Sequence, residues 1–189
     1  MANARLVAMP MVIREAMVED SAEIARVQVD TWRTTYRGIV PQSFLDQMDY
    51  EVRAKSWREQ LAAAGSRICV AEMDGTVCGF ISGGRLREPM SEFDGEIFAI
   101  YITAEAQQHG CGRAMMRKLA GELLQDGLTS AVVWVLERNP ACGFYARLGG
   151  ELVGRQTITI GGSDLVEVAY GWRNLRLLAQ AHDGDTVVK

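Results

Sequence analysis

The stretch Gln107-Gln108-His109-Gly110-Cys111-Gly112-Arg113-Ala114-Met115-Met116 sets two glycines and an arginine between a run that reads as a strand and one that reads as a helix. Glycine at such a junction has two physical uses. It reaches positive φ without steric penalty, which permits a tight turn. It also leaves backbone N–H groups bare enough to approach a ligand's phosphates at a helix N-terminus. Upstream, Glu96-Ile97-Phe98-Ala99-Ile100-Tyr101-Ile102 is apolar on both alternating faces, which predicts a central strand covered on both sides. Downstream, Met115, Met116, Leu119, Leu123 and Leu124 recur at helical spacing as far as Asp126-Gly127, which predicts an amphipathic helix.

Working outward, residues 12–16 read as a short strand. Glu19-Asp20-Ser21 supplies capping residues for a helix that carries Ile24, Val27 and Trp32 and runs to about Tyr36. Gly38 and Pro41 break it, and a second helical region covers 43–64 with an interruption near Asp49-Tyr50. Residues 67–73 and 76–82 are β-rich and meet through Asp74-Gly75, a hairpin signal. A polar segment, 83–95, separates them from the central strand. Beyond the amphipathic helix come a strand at 131–136, then Asn139 as N-cap with Pro140 at the first helical position, and a short helix bearing Phe144, Tyr145 and Leu148. Gly149-Gly150 stops that helix, and a last hairpin, 152–160 with 165–172, turns at Gly161-Gly162. This order predicts an α+β domain, a mixed sheet with helices on both faces. We expect a flexible segment at 1–10, the domain at 11–174, and a tail at 175–189 that frays beyond Leu178.

Composition narrows the function classes. A chain of 189 residues with 48% hydrophobic content suits one compact core. No run reaches the roughly 18 apolar residues that span a membrane, and the N-terminal stretch does not read as a secretory signal, so a cytoplasmic protein is expected. A net charge of −4 gives no general pull toward nucleic acid. Cys69, Cys78, Cys111 and Cys142 form no paired motif and read as free, buried or half-buried thiols. With His109 and His182 the only histidines, neither a metal site nor a Ser-His-Asp triad is expected.

The glycine loop is not a Walker-type loop, because Arg113-Ala114 follow Gly112 where lysine and a hydroxyl residue are needed. A dinucleotide fingerprint would need a third glycine where Met115 stands. What remains, Gln-x-x-Gly-x-Gly after a buried strand and opening a helix, resembles the acyl-CoA signature of the GNAT superfamily of N-acetyltransferases; the bland alternative is an ordinary strand-to-helix turn. Asn139-Pro140-Ala141-Cys142-Gly143-Phe144-Tyr145-Ala146-Arg147-Leu148-Gly149 is similar to a second block of that superfamily, with one residue fewer between Asn139 and Tyr145 than many members have. Trp32-Arg33-Thr34-Thr35-Tyr36-Arg37-Gly38-Ile39-Val40-Pro41 also looks like the acceptor-side helix and loop of bacterial members.

The resemblance implies a GNAT-type sheet and acetyl-CoA as co-substrate, without a metal. It implies that backbone N–H groups around Gln107, Gln108, His109, Gly110, Cys111, Gly112 and Arg113 hold the CoA pyrophosphate, and that Asn139 contacts the cofactor. Ile100, Tyr101 and Ile102 would pair their backbone with the pantetheine arm, an N–H near Ile102 polarising the thioester carbonyl. Glu96 stands where a glutamate base stands in the histone-type branch; its alternative reading is a solvated carboxylate at a strand start. Tyr145 takes the place of the general acid, with core packing as the alternative. Trp32 and Tyr36, four apart on one helical face, would shape the acceptor pocket unless they are a core pair. Glu137 and Arg138 read as a solvated pair. Direct transfer to a primary amine, on a small molecule or a protein N-terminus, is the expected activity. The other reading is a non-catalytic acyl-CoA-sensing or partner-binding module on the same fold, and the last hairpin offers a dimerisation surface for a homodimer.

Overall fold

The structure, a computed structural model, describes residues 11–180. In chain order it has β1 (Met11–Glu15), α1 (Ser21–Thr35), α2 (Gln42–Asp46), α3 (Tyr50–Ala62), β2 (Ser66–Met73), β3 (Thr76–Arg85) and β4 (Gly95–Ile102). It continues with α4 (Cys111–Gln125), β5 (Ala131–Leu136), α5 (Ala141–Arg147), β6 (Glu151–Ile160), β7 (Ser163–Trp172) and α6 (Leu175–Gln180). The seven strands form one sheet in the order β1-β2-β3-β4-β5-β7-β6. Every junction is antiparallel except β4 with β5, which is parallel and bridged by the crossover helix α4.

Local chemistry accounts for the punctuation. Asp74 and Gly75 both take left-handed φ, 51° and 74°, the pair of conformations that a tight two-residue hairpin turn needs. Asp49 caps α3 by accepting from the Val52 N–H at 2.9 Å. Asp20, expected as a capping residue, does other work: its carboxylate takes two Arg14 N–H groups at 2.7 and 2.8 Å and the Met17 backbone N–H at 2.7 Å.

The sheet separates two apolar layers. Ile81, Ile97, Met115, Met116, Leu119, Leu123 and Val133 pack on the α4 side. Ile24, Val27, Trp57, Val70 and Phe80 pack beneath α1 and α3. Burial of each such large side chain contributes roughly 1.5–3 kcal/mol. The two helical faces therefore clamp the central strands, among which β4 and β5 form the one parallel pairing.

Two expectations are corrected. Gly83 and Gly84 belong to β3 and not to a polar connection, because the sheet and α4 close on them: a Cβ at Gly83 would lie 2.8 Å from the Glu96 carbonyl and 2.9 Å from Leu119 Cδ2. Residues 175–180 are helix and not tail. The Leu175 N–H donates to the Thr129 carbonyl at 2.9 Å, and Leu175 and Leu178 are buried in the α4 layer. The expected flexible segment at 1–10, the frayed end at 181–189 and His182 lie outside the described residues.

Candidate active site

β4 and β5 are registered over three pairs alone, Gly95 with Ala131, Glu96 with Val132 and Ile97 with Val133. Beyond Ile97 the strands part. The opening coincides with a bulge, since Ser82 of β3 faces Ala99 while Gly83 faces Ile97, leaving Phe98 as the extra residue. β5 remains paired with β7 through Leu136, and β4 remains paired with β3 through Ile102. The sheet thus splits into a wedge lined along β4 by backbone from Phe98 to Ile102. Those five residues span about 16 Å at the usual strand rise. The Ile100 and Ile102 side chains pack into the α4 layer while Tyr101 packs on the opposite one, so toward the wedge β4 offers backbone.

The glycine loop lies at the open end of this wedge. Gln108 and Gly110 both take positive φ, 64° and 80°, and Gly110 is the residue before α4 begins. A Cβ at Gly110 would meet nothing within 4 Å, so glycine serves conformation there. Gly112 serves packing: a Cβ would lie 3.0 Å from Phe144 Cζ and 3.1 Å from Ile102 Cδ1. Neither use weighed for glycine in the sequence covers that second case. The loop is also braced from within, Gln107 Nε2 donating to the Ile102 carbonyl at 3.0 Å and His109 Nδ1 lying 2.7 Å from the Gln107 carbonyl. At Cys111-Gly112, α4 opens with the positive end of its dipole, which favours an anion.

On the α1 side, Trp32 and Tyr36 pack in a tilted contact with ring centroids 4.6 Å apart. The Tyr36 hydroxyl accepts from Asn139 Nδ2 at 3.0 Å, while Asn139 Oδ1 accepts from the Ala141 N–H at 2.9 Å. Asn139 is therefore committed on both its amide atoms, tying α1 to the start of α5. Tyr36, Tyr101 and Tyr145 interact with one another electrostatically, from α1, β4 and α5. Burial pushes all three phenols above their ordinary value, which keeps each protonated through the physiological range. Tyr145 is packed against Phe144, Tyr170 and Trp172 at centroid distances of 5.4, 5.9 and 6.2 Å. The Trp32 indole nitrogen is buried without a well-formed hydrogen bond.

Glu96, at the apex of the wedge, is 4% exposed, which removes the solvated-carboxylate reading. Its Oε2 accepts from the Arg87 backbone N–H at 3.2 Å and from Arg87 Nε at 3.1 Å, and its Oε1 accepts from Arg87 Nη2. The guanidinium also lies over the Phe98 ring, 4.7 Å from its centroid. Sequence reasoning missed Arg87, because it falls in an aperiodic polar connection with no motif to mark it. It missed Glu167 of β7 as well, which faces the α1 side and is sensed electrostatically by both Arg87 and Tyr36. Glu137 pairs with Arg155 at 3.1 Å and not with Arg138, because β6 brings Arg155 beside the end of β5.

Two clefts are prominent. One of about 250 Å³ lies beside the wedge, lined by Ile39, the 136–138 turn and the 164–166 segment. Another of about 580 Å³ lies at the other end of the sheet, near the C-terminus of α4. The four cysteines are free, as expected. Burial pushes the Cys111 thiol up to about 12, and burial raises Cys142 too, so neither is an activated nucleophile. Among the described residues no cluster of three or more metal-ligating side chains forms, and no helix is long and apolar enough to cross a membrane.

Solved structures share this architecture. The PaiA N-acetyltransferase of Thermoplasma acidophilum, in complex with coenzyme A, superposes with a TM-score of 0.69 at 19% identity, covering 85% of this chain and 98% of that one. YncA of Salmonella typhimurium, with its cofactor acetyl-CoA, gives 0.67 at 20% identity, covering 95% and 99%. In sequence, the chain is 40% identical over 167 residues to the uncharacterized N-acetyltransferase YuaI of Bacillus subtilis (strain 168), covering 88% of this chain and 95% of that protein. Residues 27–150, from within α1 to the turn after α5, match the Acetyltransferase (GNAT) family. The split sheet, the glycine loop at its mouth and these likenesses agree: the chain belongs to the GNAT family and is an N-acetyltransferase.

Proposed function

We propose that the protein transfers an acetyl group from acetyl-CoA to a primary amine by direct attack in a ternary complex. The observation that carries this reading is the wedge, whose open end meets the N-terminus of α4 and whose apex holds a buried carboxylate. Acetyl-CoA supplies the activated acyl group as a thioester. Backbone N–H groups from Gln108 to Arg113 hold the pyrophosphate, and β4 backbone pairs with the pantetheine arm as an added strand. With the pyrophosphate on α4, about 16 Å of β4 lies between it and the apex, so the thioester end falls near Phe98–Ala99 and not near Ile102. An N–H at that bulge, free of a β5 partner, polarises the thioester carbonyl.

An alkylammonium with a pKa of about 10.4 is almost wholly charged at neutral pH and must lose a proton before it attacks. Glu96 takes that proton, directly or through a water, and Tyr145, kept protonated by burial, donates to the departing thiolate. Trp32 and Tyr36 form the acceptor-side wall, and Asn139 acts on the site by fixing Tyr36 and the start of α5. The test is calorimetry of CoA binding to the full chain and to Gly110→Val. The wild type should bind at micromolar order. The variant should lose binding while staying folded, because a β-branched residue at φ 80° costs roughly 1–3 kcal/mol of strain in the loop. A wild-type chain that fails to bind CoA overturns the proposal.

A further inference from the structure

The Glu96 carboxylate is engaged on both oxygens by a single residue. Arg87 supplies three donors to it, one backbone and two from the guanidinium, so in this state most of its accepting capacity, both lone pairs of Oε2 included, goes to Arg87. Such a pair is a poor source of stability, because desolvation of the buried carboxylate offsets much of its attraction. The two partners differ in burial: the Glu96 side chain is 5% exposed and that of Arg87 is 63% exposed. The guanidinium thus has an open route to solvent, while the carboxylate stays anchored by the Arg87 backbone N–H. The charges sensed around Arg87 are Glu96, Glu88 and Glu167, all acidic, and Glu167 is shared with Tyr36 on the acceptor-side wall. Among the described residues, the apex therefore presents an acidic cradle already filled by a cation on a movable side chain.

We propose that Arg87 is a resident stand-in for the acceptor's cation: a cationic amine binds by displacing the guanidinium from Glu96, and this exchange frees the carboxylate for its catalytic role. The inference rests on the transferase reading above and names its substrate class, a cationic amine that competes with an internal guanidinium. Arg87 is a positioning residue, acting through Glu96. Exchange of one cation for another keeps Glu96 paired throughout, so no buried charge is left uncompensated at any stage. It also discriminates against neutral amides and alcohols, which cannot replace the guanidinium's charge.

The experiment titrates 1,4-diaminobutane calorimetrically into the CoA-loaded full chain, for the wild type, Arg87→Gln, Arg87→Lys and Glu96→Gln. With the competing cation removed, Arg87→Gln should bind the diamine about tenfold more tightly, with CoA affinity unchanged, and its steady-state KM should fall by a similar factor at nearly constant kcat. Arg87→Lys, which keeps a cation but not the planar fork, should fall between. Glu96→Gln should lose most diamine binding. Diamine affinity that is unchanged or weaker in Arg87→Gln, with CoA binding intact, overturns the stand-in role alone. Diamine binding retained in Glu96→Gln overturns it as well. A wild type that binds neither CoA nor diamine overturns the transferase reading instead.

Discussion

The two ends of the central sheet make opposite use of space. The end at the α4 C-terminus holds the larger cleft, about 580 Å³, yet it is framed by an exposed Arg67–Asp126 pair and by strand ends that stay in register. The wedge end has a cleft of about 250 Å³, but it gathers unpaired strand backbone, a helix N-terminus, the buried Tyr36 and Tyr145, the half-buried Tyr101 and a buried carboxylate. Cleft volume alone would select the end opposite the proposed site. What distinguishes the wedge is polar capacity held away from water, since such groups are expensive to bury and are kept where chemistry or binding uses them.

The largest expected effect sharpens this contrast at Tyr145. Tyr145→Phe keeps the ring against Tyr170 and Trp172, so the fold should survive. Turnover should drop on the order of 10²-fold with CoA affinity nearly constant, the range of a positioned general acid. Full turnover with chemistry shown to be limiting would make Tyr145 core packing.

A middle effect concerns stability, outside the wedge. The Asp20 carboxyl is held below the usual carboxylate range by its hydrogen bonds from Arg14, against an opposing push from burial and with help from the Met17 N–H. A lowered folded-state value gives stability that is present above the ordinary range near 3.9 and is lost as pH falls through the lowered value. Asp20→Asn should cost roughly 1–3 kcal/mol at neutral pH and flatten that acid loss. Melting curves from pH 7 down to 2 check it, and kcat on folded protein should be unchanged. A kcat loss on fully folded Asp20→Asn would blur the contrast between the two ends.

The smallest effect is at the large cleft itself. Arg67→Ala removes an exposed ion pair, so stability should change by no more than about 1 kcal/mol. CoA binding and turnover should stay at wild-type values. A several-fold loss of turnover in folded Arg67→Ala would break the comparison and give the larger cleft a functional part.

Much of this molecule is determined locally. The 131–136 strand falls where its β-branched run predicts, and the turns at Asp74-Gly75 and Gly161-Gly162 follow from residues that tolerate left-handed φ. The glycine loop was also legible, because a strand-to-helix turn depends on neighbours in sequence. Trp32 and Tyr36 meet, as their spacing of four implies.

Tertiary structure decided the rest, wherever the partner of a residue is distant in the chain. Gly112 is glycine because α5 brings Phe144 onto it, and Gly83 because β4 and α4 close over it. Residues 175–180 are strong helix formers after Asn174, but the run is too short for a helix of its own, which is fixed by burying Leu175 and Leu178 against the α4 layer. Asn139 gives its amide to Tyr36, 103 positions away. The split between β4 and β5 coincides with a bulge at Phe98, which no local pattern marks. The Arg87–Glu96 pair forms because a hairpin-like return of the chain sets an aperiodic arginine over a strand whose register is fixed elsewhere. Sequence specifies backbone preference and the alternation of apolar faces over a few residues. Which polar groups meet once water is excluded depends on how the strands and helices pack.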